Sequence, residues 1–433
     1  MIKADITSFT NQFLQAYSSR TVEENWSLIK NAISEATHKH IPTKTSSNKK
    51  KHPWITHALR KKTIKRHRLY KKAKRSNDPK RKSAYIAFKK AVDKEIRHTK
   101  NSYINEFVVG GLHTGDSKPF FKYIKSLKQE SLGLAPLKSG TNLETNAKEK
   151  ADILINEFSG VFTNEDLNSV PWLGPAKSRI GDLSISSNGV EKLLAEIKPH
   201  KASGPDRIPN RVLKETASEL APALATLFNQ SLQKGELPND WLNAFISPVF
   251  KKGNVHVAAN YRPVSLTSVA CKLMEHIICS HIHAHLKENK LLTDAQHGFR
   301  KNHSCESQLL LTLDDFYTSF DSSNQTDVGI LDFSRAFDTV PHQRLLGKLA
   351  HYGVQGPINK WIESFLTGRS MQVVVDGESS KPATVTSGVP QGTVLGPLLF
   401  LLYINDMPDV LTEGTSVRLF ADDSLIYREI KNT

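Results

Sequence analysis

The chain has 433 residues, 38% of them hydrophobic and 24% charged, which suits two or three domains with sizeable cores and excludes a disordered or fibrous protein. Its net charge is +16, but residues 49–100 carry 21 lysines or arginines against three acids, so the remainder is close to neutral. Basicity confined to one stretch points to a polyanion met at a defined place. Three cysteines, Cys271, Cys279 and Cys305, form no CxxC pair, which argues against a disulfide framework or a cysteine zinc site and suits a reducing compartment.

Residues 1–48 predict a small helical segment and linker: Phe9, Phe13 and Tyr17, then Val22, Trp26, Ile29 and Ile33, recur at helical spacing. The start lacks an apolar signal core, and the most apolar run, 394–404, is broken by Gly396 and Pro397 and is too short to span a bilayer. The reading is therefore intracellular, in nucleus or cytoplasm, with no membrane partner. Residues 41–53 read as a polar linker.

Residues 49–130 predict two long basic helices broken near 76–79, then a short helical bridge. Leu59, Ile64, Leu69, Tyr85, Phe88, Val92 and Ile96 form an apolar stripe, and Lys61, Lys62, Lys65, Arg66, Arg68, Lys71, Lys72, Lys74 and Arg75 crowd the other faces of the first helix. A solvated helix pair and a nuclear import signal are the bland alternatives; contact with a phosphate backbone explains the uncompensated charge better.

Residues 131–189 read as a loop over 137–146, a helix over 147–162 and a connector rich in Gly, Pro and Ser. The main boundary falls before 190. Helices are expected over 190–197, 220–234 (stopped by Gly235) and 270–288, with strands at 241–250 and around 261–266, where Pro263 pushes Arg262 out of helical geometry. His276, His281, His283 and His285 lack the acidic partner of a metalloprotease pattern and read as surface or core histidines.

Three stretches carry chemistry. In SVRLFADDSLIY, residues 416–427, two apolar runs flank Asp422 and Asp423, the pattern of a β-hairpin whose turn presents two carboxylates. A solvated turn is the plain alternative; a divalent cation would relieve the repulsion. In VGILDF, alternation sets Asp332 on the face of Val328 and Ile330, either as a helix cap or as a metal ligand. A strand pair over 371–376 and 383–387 follows, with Gly377 in the turn. Then SGVPQGTVLGPLLFLLYIND reads as a glycine-rich loop opening a buried helix, a loop that lets backbone N–H groups approach a ligand.

In this order, LDFSRAFDTV, SGVPQGTVLGPLLFLLYIND and LFADDS resemble the palm motifs of reverse transcriptases. YRPVSL, QHGFR and KASGPDRIP narrow the resemblance to non-LTR (LINE-type) retrotransposon enzymes of the jockey kind, over about 190–427. The resemblance implies an α/β fold: an antiparallel palm sheet backed by helices, with fingers, spanning 190–433 and preceded by the basic extension. It implies RNA-directed DNA polymerisation on an RNA template from a DNA primer, with dNTPs and two Mg²⁺, Mn²⁺ serving as substitute.

By the same resemblance Asp332 and Asp422 bridge the two ions, the carbonyl of Phe333 adds a ligand, and Asp423 supports them. Phe337 occupies the place of the aromatic steric gate that rejects a 2′-hydroxyl, its alternative being an ordinary core Phe. Arg262 and Lys251 match residues that clamp the triphosphate, Gln391 sits beside nucleotide and template, and Gly388 and Gly392 give the loop its close approach. Arg300 is either a template contact or a structural ion pair, and Asp338 a turn or cap acceptor. The sequence ends just after the catalytic hairpin and begins after the place of the family's endonuclease, so a fragment without thumb is expected. A nucleic-acid-binding remnant that does not polymerise is the second reading; an RNA-dependent RNA polymerase, a third, fits Phe337 poorly.

Overall fold

The computed structural model describes residues 1–42, 54–76, 78–113, 115–127, 133–169 and 171–430. The chain forms a larger unit, Met1–Pro42 with Leu134–Thr433, and a smaller one, Thr43–Gly133. The polar linker expected over 41–53 falls almost wholly outside the described residues.

The first 42 residues belong to the larger unit and are not a segment apart. Helix α1 (Ile2–Ala16) and helix α2 (Val22–His40) turn the expected apolar faces inward, burying Ile6, Phe13, Trp26, Ile29 and Ile33. Thr21 and Glu24 form a reciprocal capping box that starts α2. Polar bonds fix the docking: Thr10 Oγ1 donates to the carbonyl of Glu219 at 2.9 Å, and Trp26 Nε1 and Lys30 Nζ both reach Asp240. Periodicity revealed the helices, but not that their stripe completes a distant core.

In the smaller unit, α3 (His57–Ser76) and α4 (Pro79–Tyr103) form the two basic helices, with Asp78 capping α4 and Pro79 in its first turn. Lys62 pairs with Glu95, Arg66 with Asp93, and the Lys65 ammonium lies 5.3 Å from the Phe88 ring. Leu59 and Val92 are buried, whereas Ile64 is exposed. Lys61, Arg68, Lys71, Lys72, Lys74 and Arg75 are exposed. A π-helical turn, α5 (Gly110–His113) and α6 (Lys118–Leu127) follow.

The larger unit resumes with a small hairpin, β1 (Leu137–Ser139) and β2 (Asn142–Glu144), where a loop was expected; buried Leu137 anchors it, and the Lys138 amide donates to the His256 carbonyl. Helices α7 (Ala147–Ser159), α8 (Ser187–Glu196), α9 (Asn210–Glu215) and α10 (Ala217–Lys234) come next. Gly235, at φ +65°, ends α10 as expected. Then α11 (Asn239–Leu242) leads into β3 (Asn243–Phe250), β4 (Tyr261–Leu266) and α12 (Val269–Glu288). Next are α13 (Cys305–Asp321), β5 (Gln325–Asp332), α14 (His342–His351) and α15 (Pro357–Leu366). Last are β6 (Ser370–Val375), β7 (Glu378–Ser379), β8 (Ala383–Thr384), α16 (Leu395–Ile404), β9 (Thr415–Phe420) and β10 (Asp423–Ile430).

Helices and strands thus mix, as expected. One sheet, ordered β5-β10-β9, is antiparallel throughout. The other runs β4-β3-β6-β7 with β8 also on β6, and its β3 and β6 are parallel. A large helical core gathers α1, α2, α8, α10, α12 and α14 to α16; a second packs α7 against β3, β4 and β6. Among the described residues strand β5 pairs with β10 alone, and much of its apolar surface lies open: Ile330 is 80% exposed, and Leu310 and Phe320 on the preceding α13 are 68% and 77% exposed. Among the described residues no helix is long and apolar enough to cross a membrane.

Candidate active site

Strands β9 and β10 meet in a two-residue turn, Ala421 and Asp422, with Ala421 at φ +55°. That left-handed conformation is uncommon for a residue with a Cβ and needs outside support. Gln296 supplies it. Its buried side chain accepts from the Ala421 amide at 2.9 Å and donates to the Ala421 carbonyl at 3.3 Å, while also accepting from the Gly298 amide. The residues around it pair with β9: the Leu419 amide donates to the Ala295 carbonyl and the His297 amide to the Leu419 carbonyl, both at 2.9 Å. A Cβ on Gly298 would stand 2.2 Å from the Ala421 nitrogen, so glycine is obligatory there.

Gln296 and Gly298 therefore lock the hairpin turn, a role the sequence reading did not give to QHGFR. Arg300 of that motif donates to the carbonyls of Thr293 (2.6 Å) and Gln296 (3.2 Å) and lies 3.7 Å from Asp294, bracing the same loop. Replacing Gln296 by Ala is expected to cost about 2 to 4 kcal/mol in denaturant unfolding, because a buried amide and carbonyl lose their partner.

The register between β10 and β5 sets Asp423 directly opposite Asp332. Opposite residues in an antiparallel pair share a face, so both carboxylates stand on one side of the sheet. Asp332 and Asp422 line one cleft of about 570 Å³, and Phe333 borders it; Asp423 is not among its lining residues. Lys251, Arg262, Arg335, Phe337, Gln391 and Gly392 also line it, so most of the expected site converges there. Arg300 does not.

The loop before α16 is clamped from two sides. Gly388, at φ +88°, is so close that a Cβ would lie 2.6 Å from the Asp338 carbonyl oxygen. Its amide donates to Val340 O at 2.8 Å and that of Val389 to Phe337 O at 2.7 Å. Gln391 turns its amide to Asp338, Nε2 donating to Oδ1 at 2.9 Å, and its carbonyl accepts from the Ser265 amide of β4 at 2.8 Å. Burial pushes the Asp338 carboxyl up, against the opposing hydrogen bond from Gln391 and the charge of Arg335. Phe337 is half-buried, its ring stacked on Phe400 at 4.3 Å while bordering the cleft, so core and lining roles coincide.

From below, the amides of Val394 and Leu395 donate to Glu275 Oε2 at 2.6 and 3.1 Å. Glu275, fully buried on α12, thereby caps α16. Burial drives its carboxyl upward, and the buried Arg369 opposes that shift. Nothing in the sequence pattern singled it out.

The donors offered by Asp332, Asp422 and the Phe333 carbonyl are all oxygens, and the cleft lining holds neither His nor Cys. That chemistry suits a hard cation completed by substrate oxygens better than zinc. Among the described residues no three His, Cys, Asp or Glu side chains converge as a self-sufficient metal cluster. Two of the α12 histidines meet backbone carbonyls: His285 Nε2 that of Tyr352 and His281 Nε2 that of Gly181, both at 2.8 Å.

Residues 249–433 match the family described as reverse transcriptase (RNA-dependent DNA polymerase). The chain is 28% identical over 371 residues to the probable RNA-directed DNA polymerase from transposon BS of Drosophila melanogaster, covering 82% of this chain and 40% of that protein. It is 26% identical over 385 residues to the RNA-directed DNA polymerase from mobile element jockey of the same species, covering 84% and 42%. A third relative, from transposon X-element, is 33% identical over 244 residues, covering 55% and 27%. Residues 249–433 are thus similar to a reverse transcriptase domain. Among its relatives the chain is similar to RNA-directed DNA polymerases from jockey and other transposons, and it spans about two-fifths of the length of the first two.

Proposed function

We propose that the chain contributes the palm and fingers of an RNA-directed DNA polymerase, adding dNMP to a DNA primer 3′-hydroxyl on an RNA template. The sheet β5-β10-β9 is the palm, and β3 with β4 forms part of the fingers. The observation that carries this reading is the convergence of Asp332 and Asp422, 90 positions apart in the sequence, on one cleft whose rim holds Lys251 and Arg262. Asp332, Asp422 and the Phe333 carbonyl would hold Mg²⁺, with Asp423 in support. When bound, two such ions supply an activated primer hydroxyl and neutralise the triphosphate, Mn²⁺ serving as substitute.

The chain's own residues do the rest. Arg262 and Lys251, both exposed in the cleft, bind the triphosphate. Phe337, pinned by Phe400, rejects a ribose 2′-hydroxyl by exclusion. Gln391 and Gly392, seated by Asp338 and Ser265, form the wall beside the base. Arg300 acts toward the template through the loop it braces.

Primer extension on an RNA template tests this. Mg²⁺-dependent incorporation of dNTPs, and not rNTPs, is expected. Absence of incorporation, both by the purified chain and by the chain extended with C-terminal sequence from a longer relative, would overturn the reading. The exposed lysines and arginines of α3 are proposed to hold nucleic-acid phosphate. Neutralising Lys61, Arg68, Lys71, Lys72 and Lys74 together should weaken RNA binding at low salt and flatten its salt dependence by roughly one slope unit per lost contact, read by fluorescence anisotropy. An unchanged slope would remove the arm from the contact surface.

A further inference from the structure

Arg335 lies in the turn after β5, at φ +53°, in the left-handed region that a side chain rarely adopts. The turn is firmly held: the carbonyl of Arg335 accepts from the Asp338 amide at 2.8 Å and from Thr339 Oγ1 at 3.3 Å. Strain at a cleft residue, paid for by such bonds, is a reason to ask what its side chain does. The guanidinium borders the same cleft as Asp332 and Asp422, yet it is drawn aside, with Nη2 donating to Glu157 Oε1 at 2.8 Å and, at 3.5 Å, to the Ala259 carbonyl. Glu157 sits on α7 and is not among the cleft's lining residues. Both side chains are partly solvated, at 24% and 32% exposure, so the pair is weak enough to exchange partners.

We propose that Arg335 is a third ligand of the incoming triphosphate, parked on Glu157 until a nucleotide enters and then transferred to phosphate oxygens. This rests on the polymerase reading. A triphosphate brings up to four negative charges beside two aspartates, and a planar fork that can take two oxygens at once competes well against one carboxylate. Glu157 is therefore a positioning residue that sets how readily Arg335 is released.

The two partners predict opposite outcomes, which a merely structural ion pair would not. In primer extension, Arg335→Ala should raise the KM for dNTP roughly tenfold with a smaller change in kcat, and Arg335→Lys should recover part of the loss. Glu157→Gln should lower that KM roughly threefold, since the competitor is gone. A KM unchanged in Arg335→Ala, or raised in both variants, would overturn the proposal.

A readout without turnover separates this from failure of the polymerase reading. Phenylglyoxal labelling of the full chain, mapped by peptide mass spectrometry, should show Arg335 protected by dTTP with Mg²⁺ and more reactive in Glu157→Gln without nucleotide. Protection in a chain that incorporates nothing would keep the site and reject the activity; equal labelling with and without dTTP would reject the site.

Discussion

Asp422→Asn is expected to lower nucleotide incorporation roughly a thousandfold while leaving RNA affinity within about twofold, measured by primer extension and anisotropy on one preparation. The substitution is nearly isosteric, so the turn held by Gln296 should survive it. What it removes is one of the two carboxylates proposed to hold the metal; Asp338, the third in the cleft lining, is tied to Gln391. With so few carboxylates free to meet a divalent ion, neutralising either weakens its hold sharply, and Asp332→Asn should be equally damaging. Asp423 stands opposite Asp332 in the ladder but outside the lining, and Asp423→Asn should cost far less, on the order of tenfold. Equal losses at Asp422 and Asp423 would mean that the two carboxylates share one task. RNA affinity falling together with incorporation would mean that the variant had lost its fold.

Glu275→Ala should destabilise the chain by about 2 to 4 kcal/mol in denaturant unfolding, because it orphans two amides at the start of α16 that donate to its carboxyl. Glu275→Gln keeps an acceptor of the same shape and should cost less than half as much. The pair of proteins also carries a pH signature. Burial raises the carboxyl above the ordinary glutamate value of 4.5, so the folded state holds its proton more tightly than the unfolded state. Stability contributed by that proton is complete below 4.5 and fades as pH rises through the folded-state value. Wild type should therefore gain on Glu275→Gln as pH falls toward 4.5, and a difference that is flat with pH would show that Glu275 does not titrate in the fold.

Much of the fold was legible because it is local. Alternation in VGILDF and in the runs around Ala421–Asp422 named strands of the β5-β10-β9 sheet, and Gly235, Pro79 and the 3.6-residue stripes named helix ends and faces. The cleft was legible for a different reason: Asp332, Phe337, Gln391 and Asp422 sit in motifs whose resemblance fixed their relation before any geometry was known. What stayed hidden depends on distant partners. Nothing near Trp26 in the chain says that it meets Asp240, nor near Glu275 that it caps a helix more than a hundred positions later. The 137–146 stretch reads as loop because its two strands are only three residues each and borrow their burial from elsewhere. Arg335 and Gln296 lay inside quoted motifs, but their tasks become visible only with Glu157 and Ala421 beside them.

Among the described residues, the strand that bears Asp332 is paired along one flank, by the ladder to β10. A slip of two residues along that zipper would keep every side chain on its own face, yet would shift the carboxylate about 7 Å along the strand. No turn joins these two strands directly to forbid such a shift, and the open Ile330 edge gives a sliding strand little apolar packing to lose. Alignment at this border thus rests on that row of main-chain bonds together with Asn324 donating to Glu429 and Thr326 to Ser319, and whatever stiffens them sharpens the meeting of the two acids.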